Sequence, residues 1–248
     1  ITFSGGSPMG SGKTGLASTD IWSLEYNQAG LAEIENFAGA VSYNSPFLVG
    51  ELGNSQAFVA LPVGDNVFGL SLQSRGFALY REGYYGLAYG RKLSDDFNIG
   101  IQLNYYSLQL GEGYGKVNAV TVEGGLSYNL NDNFTLAAHV ANPNQSKLND
   151  DAYLPAILRG GFQYRFSDAV RFNAEVWKSV DDDAQVHTGI VYQATKVVEL
   201  DLGVSTNPAT LYAGFGLNYD NLQVNISTSY HSILGYTPQL SLVYRAKG

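Results

Sequence analysis

The chain has 248 residues, of which 45% are hydrophobic and 13% aromatic, and its formal net charge is −8. This acidic balance argues against nucleic acid as a partner, because nucleic-acid-binding proteins are usually basic. No stretch approaches the roughly 20 apolar residues of a membrane-spanning helix. Composition alone therefore leaves a soluble all-β protein and a membrane β-barrel open.

The beginning of the chain differs from the rest. Residues 1–35 show no regular alternation of apolar and polar residues, and a short helix is predicted around residues 20–31. Alternation begins at about residue 36 and continues to the end of the chain. We therefore predict two units, an N-terminal plug or hatch segment at 1–35 and a β-barrel at 36–248.

The alternating segments recur about every 15 residues. In one of them, Val120 and Val122 share a face of the strand, while Thr121 and Glu123 share the other. An apolar face opposite a polar face is typical of a barrel with lipid outside and a polar lumen inside. We predict an all-β fold, a transmembrane antiparallel β-barrel of about 14 strands, at 37–44, 56–62, 67–73, 82–92, 97–107, 119–130, 134–141, 156–165, 170–177, 186–193, 198–205, 211–219, 222–230 and 239–245.

The connections differ between the two ends of the predicted barrel. Tight turns rich in Asp, Asn and Ser follow the even strands, as at 64–66 and 94–96, whereas generally longer loops follow the odd strands, as at 142–155. Short turns on one side and longer loops on the other are typical of the periplasmic and extracellular ends of an outer-membrane barrel. We expect a bacterial outer-membrane protein with both termini in the periplasm.

Inward-facing positions carry many glycines, which enlarge a lumen already too wide for its own side chains to fill. The N-terminal segment is the chain available to fill it. Charged residues also point inward by the alternation, and we interpret them as a lumenal charge network that holds the plug, with an ion or solute path as the alternative. These residues are Glu82, Glu123, Arg159, Arg165, Arg171, Glu175, Glu199 and Asp201.

The N-terminal segment carries a recognisable motif. A Gly-rich stretch at 9–17 is followed by Asp20-Ile21-Trp22 and then by Asn27-Gln28-Ala29-Gly30-Leu31-Ala32. This resembles the N-terminal hatch of FadL-type barrels, most closely the PorV/PorQ-like branch, and the resemblance extends to a 14-stranded count. It implies that Trp22, Asn27, Gln28, Ala29 and Gly30 form the hatch motif, although Gln28 stands where the family usually has Pro.

Other chemical signals are weak. Gly12-Lys13-Thr14 is similar to the end of a nucleotide-binding loop, but the earlier glycine position holds Ser7 and no strand precedes it. The three histidines lie on different predicted strands without metal-ligand spacing. We therefore predict no cofactor, no metal site and no catalytic residues.

Three classes of function follow from these features. The resemblance implies a non-enzymatic accessory or scaffold subunit of an outer-membrane complex, in type IX secretion or outer-membrane protein assembly and export. The alternative is a FadL-like channel for the uptake of small hydrophobic molecules, and a barrel enzyme is the third class. We expect outer-membrane lipid and other outer-membrane proteins as partners, no nucleic acid, and a small hydrophobic ligand in the channel alternative.

Overall fold

A computed structural model describes residues 7–111, 115–148 and 152–247. Fourteen antiparallel strands form a closed barrel in which each strand pairs with its neighbours in sequence and β1 pairs with β14. The strands are β1 Ala38–Asn44, β2 Asn54–Val63, β3 Asn66–Phe77, β4 Tyr80–Lys92, β5 Phe97–Leu110, β6 Gly115–Asn131, β7 Phe134–Ala141, β8 Ile157–Ser167, β9 Val170–Ser179, β10 Gln185–Gln193, β11 Val198–Ser205, β12 Thr210–Tyr219, β13 Leu222–His231 and β14 Gly235–Arg245. The predicted all-β architecture and strand number are confirmed.

The alternation of the sequence becomes the two faces of the wall. On β12, Leu211, Phe215 and Leu217 are exposed on the outer face, whereas Tyr212 is buried on the inner face. Side chains of successive residues point to opposite faces of a strand, so one apolar set covers the outside of the whole barrel. An apolar outer belt around a polar interior is the arrangement of a barrel that sits in a bilayer.

The two ends of the barrel are distinguished by their connections. We call the end where β1 begins and β14 ends the terminal end, and the opposite end the loop end. The turns at the terminal end are short, as at 64–65 and 132–133, and two long connections, 45–53 and 142–156, lie at the loop end.

Loop lengths at the loop end differ from the prediction. The connection between β3 and β4 is only residues 78–79, because the strands themselves extend further than the alternation suggested. Phe77 pairs with Tyr80, and Leu110 pairs with Gly115. Residues 74–77, 80–81, 108–110 and 115–118, which the sequence assigned to loops, are therefore paired strand extensions.

The helices are short. The segment before β1 contains a 3-10 helix Ser7–Met9, the α-helix α1 Ser23–Tyr26 and a 3-10 helix Gln28–Glu33, and the connection from β1 to β2 contains 3-10 helices Pro46–Leu48 and Gly50–Leu52. Within the described ranges, no helix has the length and apolar character needed to cross a bilayer.

The apolar core lies between the segment that precedes β1 and the inner face of the wall. Ile21, Trp22, Leu24 and Leu31 are fully buried there, and the ring of Trp22 meets that of Phe58 edge to face at 5.6 Å. The outer wall is apolar and exposed, so this core is built by N-terminal residues packed against the inner face of the wall. A second, smaller buried cluster joins Tyr106, Ala119 and Leu154.

Candidate functional site

Residues 27–33 form the first contact of the N-terminal segment with the wall. The Asn27 side chain caps the 3-10 helix by accepting a hydrogen bond from Ala29 N at 3.2 Å, and its Nδ2 donates to the carbonyl of Leu126 on β6 at 3.1 Å. Glu33 accepts from Asn98 at 2.8 Å and pairs with Lys92 at 2.7 Å. This part of the segment is therefore held by β4, β5 and β6.

Gln28 makes the most extensive polar contact of this region. Its Nε2 donates to Glu123 Oε2 at 3.2 Å, and its Oε1 lies 3.1 Å from Nε2 of His139 on β7. Glu123 also accepts from Tyr84 at 2.8 Å and from Asn104 at 3.0 Å. The three further partners, His139, Tyr84 and Asn104, all lie on the wall, so buried polar contacts connect the segment to the wall.

Residues 10–16 form a second contact on the opposite part of the wall. Leu16 N donates to Glu175 on β9 at 2.8 Å, and Nδ1 of His187 on β10 lies 2.8 Å from the Gly12 carbonyl oxygen. Gly203 on β11 faces the backbone of Gly12 so closely that an added Cβ would overlap it. Glycine is needed at this position because it alone lets the two backbones approach.

Arg159 on β8 lies between the two contacts. Its guanidinium carbon is 4.2 Å from the centre of the Trp177 ring and 6.0 Å from that of Tyr26, and Nη1 is 3.5 Å from the Tyr26 carbonyl oxygen. Cations at such distances are attracted by the negative face of an aromatic ring. Trp177 in turn donates to Glu175 at 2.8 Å, so the arginine is surrounded by aromatic and carboxylate groups.

In the described parts of the chain, ion pairs do not join the predicted lumenal charge residues into one continuous network. Arg171 and Glu199 pair at 3.3 Å, but Glu123 and Glu175 accept hydrogen bonds from neutral groups, and Glu82 accepts one from the Tyr80 hydroxyl. The reason is geometric, because the eight residues are spread over strands on different parts of a wide lumen.

Among the described residues of this set, Arg165 and Asp201 take no part in the ion pair and hydrogen bonds just given. Arg165 lies exposed at the terminal end, directly opposite Arg171 in the β8–β9 pairing. Asp201 is buried against Gly10, and its Oδ1 has no hydrogen-bond partner in the described parts of the chain.

Two cavities of similar size lie on opposite sides of residues 8–20. The loop-end cavity has a volume of about 340 Å³ and includes Met9, Lys13, Arg75, Trp177, His187 and Tyr212 in its lining. The terminal-end cavity has about 300 Å³ and includes Pro8, Ser11, Thr14, Asp20, Arg171 and Arg245. The same short stretch of chain therefore separates the two.

Lys13 is a charged residue of the stretch that separates the two cavities. Burial lowers the pKa of its ammonium group below the usual value, an effect that the neighbouring Glu25 carboxylate opposes and Arg159 adds to. In the described parts of the chain, no group of three or more His, Cys, Asp or Glu residues is placed to hold a metal ion.

Comparisons with known structures identify the architecture. The toluene transporter TbuX of Ralstonia pickettii aligns with a TM-score of 0.74 and 13% identity over 98% of this chain and 99% of that one. The chain has the fold of FadL-type barrels. The toluene transporter TodX of Pseudomonas putida aligns with a TM-score of 0.73 and 13% identity over 99% and 98% of the two chains, and a FadL homologue of Pseudomonas aeruginosa with 0.70 and 13% over 98% of each.

Sequence comparisons add nothing to this likeness. No protein-family model matches the chain, and no curated protein sequence matches it significantly. At 13% identity, the likeness establishes the fold alone. The finer assignment to the PorV/PorQ-like branch stays a prediction.

Sequence reasoning missed several residues that the structure brings together. His139 was set aside for lack of metal-ligand spacing, yet it contacts Gln28, and Tyr84 and Asn104 were not singled out although both bind Glu123. The sequence carried one signal of these contacts. Gln28 stands where the FadL-type motif usually has Pro, and a polar side chain at a buried position needs partners.

Proposed function

We propose that this protein is an outer-membrane channel for the uptake of small hydrophobic molecules, with the N-terminal segment as its plug. The observation that carries the proposal is that residues 8–20 line both the loop-end cavity and the terminal-end cavity. A path through the barrel is thus interrupted by one short segment. Movement of that segment would join the two cavities into a passage.

The orientation follows from the connections. We assign the loop end to the extracellular side and the terminal end, with both chain termini, to the periplasm, because outer-membrane barrels place their short turns in the periplasm. Molecules would then enter the loop-end cavity, pass residues 8–20 and leave through the terminal-end cavity.

The lining of the loop-end cavity suits a small molecule with an apolar body and an oxygen atom. Trp177, Tyr212 and Phe47 supply aromatic surface, and Lys13 and Arg75 supply hydrogen-bond donors. Binding sites for small molecules are commonly apolar or aromatic cavities with a few polar groups that fix orientation. Fold likeness to two toluene transporters supports the same general class of substrate.

The accessory-subunit interpretation rests on the N-terminal motif. The comparisons favour the channel, because the structural neighbours are described as transporters. We therefore propose a non-enzymatic transport role.

A reversible tether tests the proposal. The chain contains no cysteine, and a Cβ at Gly189 would lie 2.9 Å from that of Ser11. Disulfides need a separation of about 3.5–4.5 Å. The same Cβ would lie 2.0 Å from the Ser11 carbonyl oxygen, so the segment must move away from β10 for the pair Ser11→Cys with Gly189→Cys to form one. The two redox states of this one variant are therefore compared, and we expect its oxidised cells to take up radiolabelled toluene more slowly than the same cells after a reductant is added.

A matched tether within the wall is the control. Thr188 and Val204 are directly paired on the outer faces of β10 and β11, so Thr188→Cys with Val204→Cys joins two strands that need not separate. Uptake by this variant should not depend on oxidation. Equal uptake by cells without the protein would contradict the channel, and full uptake by the oxidised Ser11–Gly189 tether would show that the segment does not gate it.

A further inference from the structure

A third cavity, which we call the central cavity, lies between α1 and the loop-end halves of β3 to β8. Leu24 and Glu25 contribute from the N-terminal segment, and Asn142 and Leu154 contribute from the long connection after β7. Its volume is about 60 Å³. Benzene needs a cavity of about 150 Å³, so a ring does not fit, whereas a polar head group with a short stem does.

Three buried polar atoms belong to residues that line this cavity. Arg159 Nε, Gln102 Oε1 and the Tyr106 hydroxyl have no hydrogen-bond partner among the described residues, and each residue is at most 4% exposed. A buried polar group without a partner is destabilising, and most such groups in proteins are satisfied. Three of them around one cavity indicate a molecule that offers both a donor and an acceptor.

The charges of the lining do not favour an anion. Glu25 and Glu123 face one guanidinium, that of Arg159. A proton on His139, which lies 3.2 Å from Glu123, would at most bring the sum to zero. Lys13, whose ammonium group neighbours Glu25, is not a lining residue. The lining itself therefore offers a carboxylate no net positive charge, and a neutral head group is favoured.

The remaining lining is apolar and aromatic. Leu154 packs against Tyr106, and the rings of Tyr84 and Tyr106 meet edge to face at 6.3 Å. Leu24 and Ile157 complete this surface. A short hydrocarbon stem next to the polar head is therefore accommodated.

We propose that the central cavity binds the hydroxyl end of a small neutral molecule whose other end is apolar, that is, an alcohol. One hydroxyl donates one hydrogen bond and accepts two, so it can donate to Gln102 Oε1 and accept from Arg159 Nε and from the Tyr106 hydroxyl. The proposal rests on the proposed function only for the entry of the molecule into the lumen.

Three ligands that share a benzene ring test it. Benzyl alcohol carries a hydroxymethyl group, toluene a methyl group and benzoate a carboxylate, so they differ in the group that enters the cavity, while the ring of each stays outside it in the lumen. Binding is measured by titration calorimetry on the full chain in lipid nanodiscs, with empty nanodiscs subtracted. We expect benzyl alcohol to bind about 3- to 10-fold more tightly than toluene, as one or more hydrogen bonds would give, and benzoate to bind more weakly than benzyl alcohol.

The Tyr106→Phe variant removes one hydroxyl from the cavity. It should weaken benzyl alcohol about 3- to 10-fold and leave toluene unchanged. The Tyr105→Phe variant is the matched control, because Tyr105 is the neighbour on β5 whose side chain faces outward. It should change neither affinity.

The outcomes separate this proposal from the channel. Tighter binding of toluene or benzoate than of benzyl alcohol would overturn the alcohol site, as would equal effects of the two tyrosine variants. Absence of binding by all three ligands would also overturn it, and uptake that still responds to the Ser11–Gly189 tether would show that the channel stands. If none of the three ligands binds and uptake also fails to respond to the tether, both the alcohol site and the channel are overturned.

Discussion

Gln28 Nε2 donates a hydrogen bond of 3.2 Å to Glu123 Oε2, across 95 residues of sequence. Both side chains are buried, and His139 on the next strand completes the contact. Gln28 stands where the resemblance to FadL-type hatches predicts Pro. It is therefore one of the residues that join the N-terminal segment to the wall.

We predict that Gln28→Leu loosens residues 27–33 without unfolding the barrel. The change keeps an apolar body of similar size but leaves Glu123 and His139 without one partner each, at a cost of about 1–3 kcal/mol per unsatisfied group. Amide hydrogen exchange should become faster in this stretch and stay slow in β4 to β6. Gln109→Leu, at an exposed position of β5, is the control and should leave the exchange rates of residues 27–33 and of β4 to β6 unchanged.

Gln28→Pro sharpens the same experiment. Residue 28 is the first residue of a 3-10 helix, where Pro is tolerated, and Asn27 has the extended backbone that precedes Pro readily. We expect Gln28→Pro to behave like Gln28→Leu because both lose the same side-chain contacts. Unchanged exchange in both variants would mean that Gln28 does not anchor the segment.

A glycine on the inner wall gives a second prediction. A Cβ at Gly100 would overlap the carbonyl of Gln28, whereas one at Gly160 would meet no atom within 4 Å. Gly100→Ala should displace the segment and raise the conductance of the protein in planar bilayers, and Gly160→Ala should leave it at the wild-type level. Wild-type conductance of Gly100→Ala would show that the wall, and not the segment, moves to accommodate the added Cβ.

The sequence predicted the wall better than the contacts inside it. Alternation is a local property, so the 14 strands and their two faces could be read from neighbouring residues. The partners of Gln28 could not, because Glu123 and His139 lie 95 and 111 residues away. The extension of β3 beyond Gln73 was also missed, since Gly76 and Phe77 do not continue the alternation although their backbones pair with β4.

Membrane placement is tested by charge on the outer face. Leu202 lies in the middle of β11 and is 65% exposed, and Leu222 is exposed at the terminal end of β13. Arg on the lipid face costs about 2–4 kcal/mol at the bilayer midplane and about 0–1 kcal/mol near the interface. Leu202→Arg should therefore lower the free energy of unfolding of the barrel in lipid vesicles, measured by denaturant titration, far more than Leu222→Arg. Equal small losses would contradict a membrane-spanning wall.

The last prediction separates the channel from an accessory subunit. The outward positions of β1 near the β1–β14 seam include Gly39 and Val41, and small residues allow another membrane protein to approach closely. As a channel that acts alone, the protein should tolerate Gly39→Trp and Val41→Trp, because both positions face lipid. We expect unchanged toluene uptake, an unchanged heat-modifiable barrel on gels and no protein released from gently extracted samples. Ile101→Trp, at an exposed position of β5 away from the seam, is the control. Release of a stoichiometric partner by the seam variants and not by Ile101→Trp would contradict this expectation and favour the accessory subunit.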